Sequence, residues 1–174
     1  MDNDKNELDP ISLEIISNGL RSITDECFVA LTRSSYSTNI KERKDHSIAI
    51  VDKEGRLVVQ AAMTIPLHIA SMRGLMECIL EKFEGDIEEG DVFVANDPHT
   101  AGGTHLPDIN YAMPIFVDGE IVAFSCNIAH HADVGGMVPG SMAGGMSEIY
   151  QEGLRIPVVK LFRKGELQQD IMDI

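Results

Sequence analysis

Between Asn96 and Gly136 the chain carries four of its six histidines, His99, His105, His130 and His131, together with the carboxylates Asp97, Asp108 and Asp133. His105 and Asp108 are two residues apart and Pro107 stiffens the segment between them, so a tight turn can aim both side chains at one point. A third ligand from the end of a neighbouring strand, either His130 or His131, would complete a set of two imidazoles and one carboxylate. Such a facial set leaves coordination positions open, and its nitrogen and oxygen donors suit Mn, Fe, Zn or Co better than Ca or Mg. A divalent transition metal of that kind polarises a carbonyl or acidifies a water. Adjacent residues on an extended chain point to opposite faces, so only one of His130 and His131 joins a given site directly. The other is left as a general base, a supporting residue or packing.

Other chemistries fit the residues less well. Asp97-Pro98 reads as a turn in which Asp97 bonds its own backbone. Paired glycines such as Gly102-Gly103 let backbone approach a bound group, and with Thr104 they could cradle an anion. No Lys stands where a phosphate-binding loop requires one, so nucleotide binding by this chain is not expected. Ser141 and Cys126 lack the surroundings of a nucleophile, and Cys126 sits in an apolar run that reads as buried and inert. Asp45 and His46 follow Arg43 and Lys44, and on spacing alone they read as members of structural ion pairs.

The elements that must position these residues follow from periodicity and turn chemistry. Asp9-Pro10 is a helix start, with Asp as cap and Pro at the first helical position. Leu13, Ile16, Leu20, Ile23, Cys27 and Leu31 then step by threes and fours, which predicts one apolar stripe on a helix running to about Arg33. Ser34 to Asn39 is polar and small, suited to neither helix nor strand. Ser47–Val51 and Arg56–Gln60 read as paired strands across a turn containing Gly55. After Pro66, the residues Ile69, Met72, Met76, Ile79 and Phe83 predict a second helix, with Gly85 as its stop. Val92–Ala95 is a short buried strand, and Asn110–Phe116 with Glu120–Ile128 form a hairpin through Val117-Asp118-Gly119. Residues 135–153 form a long loop rich in Gly, Met and Ser, of the kind that carries function in compact domains. Arg155–Phe162 returns to strand character. The fold class expected is α+β: a mixed or antiparallel sheet packed by two long helices, with a Gly-rich functional loop, in a single domain over residues 1–174.

Composition limits the partners. With 174 residues and 44% hydrophobic content the chain can bury a real core. A net charge of -14 argues against nucleic acid, whose phosphates are gripped by clustered Lys and Arg. Three scattered cysteines, Cys27, Cys78 and Cys126, fit neither a disulfide framework nor a zinc finger, and a reducing cytoplasm is the default expectation. Residues 1–7 are acidic and polar, unlike a signal peptide, and no apolar run approaches a bilayer span, so no membrane association is expected.

Several long motifs occur in one order: Asp9-Pro10-Ile11-Ser12-Leu13-Glu14; Tyr36 to Asp45; Asn96-Asp97-Pro98; Gly102-Gly103-Thr104-His105-Leu106-Pro107-Asp108; Ala129-His130-His131-Ala132-Asp133-Val134-Gly135-Gly136; Pro139-Gly140-Ser141; and Glu148 to Pro157. Together they resemble the hydantoinase B family, which includes B subunits of N-methylhydantoinases and ATP-dependent 5-oxoprolinases and related subunits of acetone and acetophenone carboxylases. The resemblance implies a hydantoinase A type partner subunit that binds ATP and phosphorylates the substrate oxygen. The B subunit would then supply the metal-bearing site where a cyclic amide is hydrolysed, or where a ketone is carboxylated through its enol. The family ligands, the His and Asp of His-x-x-Asp and the first His of the His-His pair, map to His105, Asp108 and His130. His131, Asp133 and Asp45 also match family positions and become the candidate catalytic residues. Family B subunits are much longer, so a further partner is implied, the remainder of the B subunit, and independent activity is not expected. A non-catalytic assembly subunit docking through its helix stripes is the alternative of a different class.

Overall fold

The computed structural model describes residues 9–174; the acidic stretch read at residues 1–7 lies outside the described residues. A first helix, α1 (Pro10–Ser34), begins where Asp9 accepts the N–H groups of Ile11 and Ser12 at 3.0 and 3.1 Å. This satisfies two of the donors that a helix start leaves free. A single turn, α2 (Thr38–Lys41), follows where no regular element was expected; burial of Ile40 draws the polar segment into it. The strands are β1 (His46–Asp52), β2 (Leu57–Gln60), β3 (Val92–Ala95), β4 (Asp108–Val117), β5 (Glu120–His130), β6 (Val159–Arg163) and β7 (Glu166–Leu167). The helix α3 (Pro66–Lys82) separates β2 from β3, and a last turn, α4 (Gln169–Met172), follows β7.

The strands form one sheet in the order β2-β1-β5-β4-β3-β6-β7, with every neighbouring pair antiparallel. The α+β expectation therefore holds in its antiparallel form. The β4–β5 hairpin closes on Asp118 and Gly119, both at positive φ (51° and 82°), the backbone of a two-residue hairpin turn. Both strands of this hairpin run two residues further toward their open end than the apolar pattern suggested. The extra residues are Asp108 and Ile109 on β4 and Ala129 and His130 on β5, and the polar groups at the two ends are what a hydrophobic criterion leaves out.

The two long helices lie on opposite faces of the sheet. Alternate residues of β1 show it, since Ala49 and Val51 pack with α3 whereas Ile48 packs with Phe28 of α1. The main core joins Met72, Leu75, Met76 and Ile79 of α3 to Phe93, Ala95, Ala112, Phe124, Cys126 and Ile128. Burying each of those four helix side chains stabilises the fold by about 1.5–3 kcal/mol.

The stripe read on α1 is corrected by its packing. Thr24 and Phe28 are its buried residues and Leu31 is half-buried, while Leu13, Ile16, Ile23 and Cys27 are exposed. A 25-residue helix is about 37 Å long and β1 about 23 Å, so only the C-terminal half of α1 reaches the sheet. The contact line falls one residue away from the predicted stripe because apolar residues lie on several sides of this helix. β6 also starts later than expected, because Ile156 is tied to Asn96 by its N–H and carbonyl and Arg155 to Asp97, rather than to a strand. Among the described residues, no helix is long and apolar enough to cross a membrane.

Candidate metal centre

The site forms at the open end of the β4–β5 hairpin. Phe124, Cys126 and Ile128 face α3, and by the same alternation His130 faces it too. Asp108 stands directly across the ladder from His130, so the two side chains emerge together on the α3 side. His105 is delivered by the turn before β4, in which the Asp108 N–H donates to the His105 carbonyl at 3.1 Å. Buried Leu106 pins that turn from below.

The ligand atoms converge. His105 Nε2 lies 3.2 Å from Asp108 Oδ1 and 3.2 Å from His130 Nδ1, and His130 Nδ1 lies 3.1 Å from Asp108 Oδ1. Bonds of about 2.1 Å to one cation put neighbouring ligand atoms about 3.0–3.4 Å apart, so this triangle fits one face of a coordination sphere. Among the described residues these three make up the cluster of potential ligands. Asp108 and His130 are buried, while the His105 side chain is a third exposed and marks the open side. Burial pushes the Asp108 carboxyl upward, but hydrogen bonds from His105 and Thr104 outweigh it and hold the group below its ordinary value. Its hydrogen bond to Asp108 raises His105 against the opposing effect of burial. The carboxylate is thus ionised at neutral pH, as a metal ligand must be, and protons on the imidazoles compete with a cation.

Asp45, read from spacing as an ion-pair partner of Arg43 and Lys44, turns instead toward the trio. One oxygen lies 3.9 Å from His130 Nδ1 and the other 3.7 Å from His68 Nε2, and its backbone carbonyl accepts the His130 N–H at 2.9 Å. His46 points to the other sheet face, as the alternation requires. His131 stands one residue beyond the trio, its N–H bonded to the Pro107 carbonyl; burial, then the neighbouring His130, lowers its pKa. The structure does not bring Asp133 to the trio. Its carboxylate is exposed and accepts the N–H groups of Gly135 and Gly140 at 2.8 and 3.0 Å and the Ser141 hydroxyl at 3.1 Å, which ties down the Gly-rich loop. His99 is exposed, and Asp97 holds the His99 N–H and the Arg155 guanidinium. Burial pushes the Cys126 thiol up to about 12, which leaves it inert as expected.

Gly102 serves the scaffold rather than a bound group. A Cβ there would stand 2.4 Å from the Gly74 Cα, so the loop and α3 touch backbone to backbone through two glycines.

Two supporting residues escaped the sequence reading. Asn96, fully buried, donates to the carbonyls of Leu106 and Leu154 at 2.8 Å each and accepts the Ile156 N–H at 2.6 Å, stapling the ligand turn to the segment before β6. His68, in the first turn of α3, is 3% exposed and reaches both Asp45 and Asp108. Its signal was present: His68 stands four residues before Met72, so a titratable group occupies the buried stripe itself.

Comparison with known proteins places the chain among relatives of like sequence and fold. The family described as Hydantoinase B/oxoprolinase matches residues 9–174. A 5-oxoprolinase of Dictyostelium discoideum is 40% identical over 164 residues, 94% of this chain and 13% of that protein. Caprolactamase subunit beta of Pseudomonas jessenii is 34% identical over 169 residues, 97% of this chain and 29% of that subunit. The crystal structure of the ATP-dependent caprolactamase from that organism superposes with a TM-score of 0.81 at 33% identity, covering 97% of this chain and 29% of that one. The nucleotide-free structure of acetone carboxylase superposes with a TM-score of 0.83 at 22% identity, covering 95% and 22%, a likeness of fold. The chain therefore spans less than a third of the length of these relatives. The match over residues 9–174 means that this chain belongs to the hydantoinase B/oxoprolinase family.

Proposed function

We propose that this chain is the metal-bearing part of an ATP-dependent cyclic-amide hydrolase of the 5-oxoprolinase or caprolactamase kind. The observation that carries the reading is the triangle of His105 Nε2, Asp108 Oδ1 and His130 Nδ1, with edges of 3.1–3.2 Å and one exposed side. These residues would hold a divalent transition metal such as Zn, Mn, Fe or Co. That metal supplies Lewis acidity, which polarises a carbonyl or acidifies a water.

The chain's own residues divide the remaining work. Asp45, a third exposed and beside His130, is assigned to accept the proton of the attacking water. His131, kept neutral by burial, is a second proton acceptor one residue along. Asp133 is assigned to holding the loop that borders the site. ATP belongs to a hydantoinase A type partner subunit, which would activate the ring amide by phosphorylating its oxygen, and the remainder of the B subunit completes the substrate pocket. The names of the related enzymes support ATP dependence and a multi-subunit assembly.

The test is reconstitution with the A type partner and the rest of the B subunit. ATP-dependent ring opening of a lactam or hydantoin, lost in Asp108→Asn, supports the reading. Bicarbonate fixation on a ketone without ring opening would assign the chain to the carboxylase branch. Partner activity unchanged when His105 and Asp108 are both replaced would leave only a role in assembly.

A further inference from the structure

His68 belongs to neither the predicted ligand set nor the predicted catalytic residues, yet it is buried in the midst of both. Its Nε2 lies 3.7 Å from Asp45 Oδ1 and 3.7 Å from Asp108 Oδ2. Its other nitrogen, Nδ1, is 2.9 Å from the Ser47 hydroxyl, which itself accepts the Ile65 N–H at 2.9 Å. Ser47 is fully buried, and among the described residues the His68 Nδ1 is the acceptor its hydroxyl proton can reach. A hydroxyl has one proton to give, so Ser47 donates to Nδ1 and the ring's own proton resides on Nε2. That N–H lies beside two carboxylates, 3.7 Å from an oxygen of each, a distance at which it attracts them electrostatically without a direct hydrogen bond.

We propose that His68 is a positioning residue of the metal centre. Fixed as an Nε2 donor by Ser47, it holds the carboxylates of Asp45 and Asp108 in one orientation, so that Asp108 Oδ1 stays turned toward His105 and His130. The second Asp108 oxygen accepts the Thr104 hydroxyl and lies 3.7 Å from His68 Nε2, which leaves the first oxygen turned toward His105 and His130. Groups that orient a ligand in this way change metal affinity by about 10–100-fold when removed. The proposal rests on the metal reading above.

Titration with Co2+ tests it, followed by the cobalt visible absorption band, with thermal unfolding measured in chelator as a control for folding. His68→Leu, which fills the space without a donor, is expected to bind Co2+ about 10–100-fold more weakly with a shifted band. His68→Gln, whose side-chain amide carries an N–H to the same place, is expected to stay within about threefold of the unsubstituted chain. Should His68→Leu fail to fold, Ser47→Ala carries the comparison, with weaker binding expected because the ring proton is no longer fixed on Nε2. Equal affinity in all variants overturns the proposal, and so does His68→Gln binding as weakly as His68→Leu, which would make the ring a packing element. No Co2+ binding by the unsubstituted chain overturns the metal reading itself, and this proposal with it; binding that ignores His68 overturns this proposal alone.

Discussion

Lowering the pH should remove a defined part of the stability of this fold through His46. The ring is fully buried on the α1 side of β1 and stacks on Phe28 with centroids 3.9 Å apart. The Thr32 hydroxyl donates to the Phe28 carbonyl at 2.9 Å, so toward His46 Nε2, also 2.9 Å away, it can only accept. Nε2 therefore carries the ring proton, and Nδ1 is an acceptor with no partner among the described residues. A second proton would place an unpaired charge in the core. Burial, and then the nearby His68, pull the pKa of His46 from 6.5 down to about 4.

The unfolded chain takes up this proton as the pH falls below 6.5, whereas the folded chain refuses it until about 4. Between those values the unfolded state binds more protons, so stability is complete above the window and is lost as the pH falls through it. Going from about pH 7 to about pH 4.5, this single group removes about 2 kcal/mol. His46→Phe preserves the stack and cannot protonate. Urea unfolding of both chains in chelator, at the two pH values, should show the unsubstituted chain losing about 2 kcal/mol more than His46→Phe. An equal loss in the two chains would show that His46 is not the source of this acid sensitivity.

Other perturbations follow from particular contacts. Gly74→Ala places a Cβ 2.6 Å from the Gly102 Cα, so chemical denaturation should show a loss of about 1–3 kcal/mol despite the better helix propensity of Ala. Lys160→Met strands Asp91, which is fully buried and 2.8 Å from the ammonium, and should cost about 3–5 kcal/mol by the same measurement; Lys160→Met with Asp91→Asn should recover a large part of it. Asp133→Ala should expose residues 135–146 to limited proteolysis without changing metal stoichiometry, because its three bonds all go to the loop.

How far the sequence could be read depends on which force sets each feature. The hairpins, both long helices and the α3 core stripe were legible, since burial of Met72, Met76 and Ile79 imposes a helical period that the sequence must display. The His105–Asp108 spacing was legible because a tight turn is a local structure. The arrival of a histidine from the neighbouring strand end was legible from the hairpin, but the choice of His130 over His131 was not fixed by spacing, because both residues lie beyond the apolar pattern that marks the strand; the family resemblance supplied it. Asp45 misled for the same reason: beside Arg43 and Lys44 in the chain, it is directed by β1 toward His130 and His68. Asn96 and His68 act on residues ten to sixty positions away. The face that α1 presents to the sheet could not be chosen from its own residues, because apolar side chains lie around much of its circumference and only half its length is covered.

His105, Asp108 and His130 are proposed to hold a catalytic cation together. Elemental analysis of the chain purified without chelator, beside Asp108→Asn, measures this directly. About one divalent transition metal per chain in the first sample, and none in the second, is the predicted result. Absence of stoichiometric metal in the unsubstituted chain, or equal metal in Asp108→Asn, would contradict it.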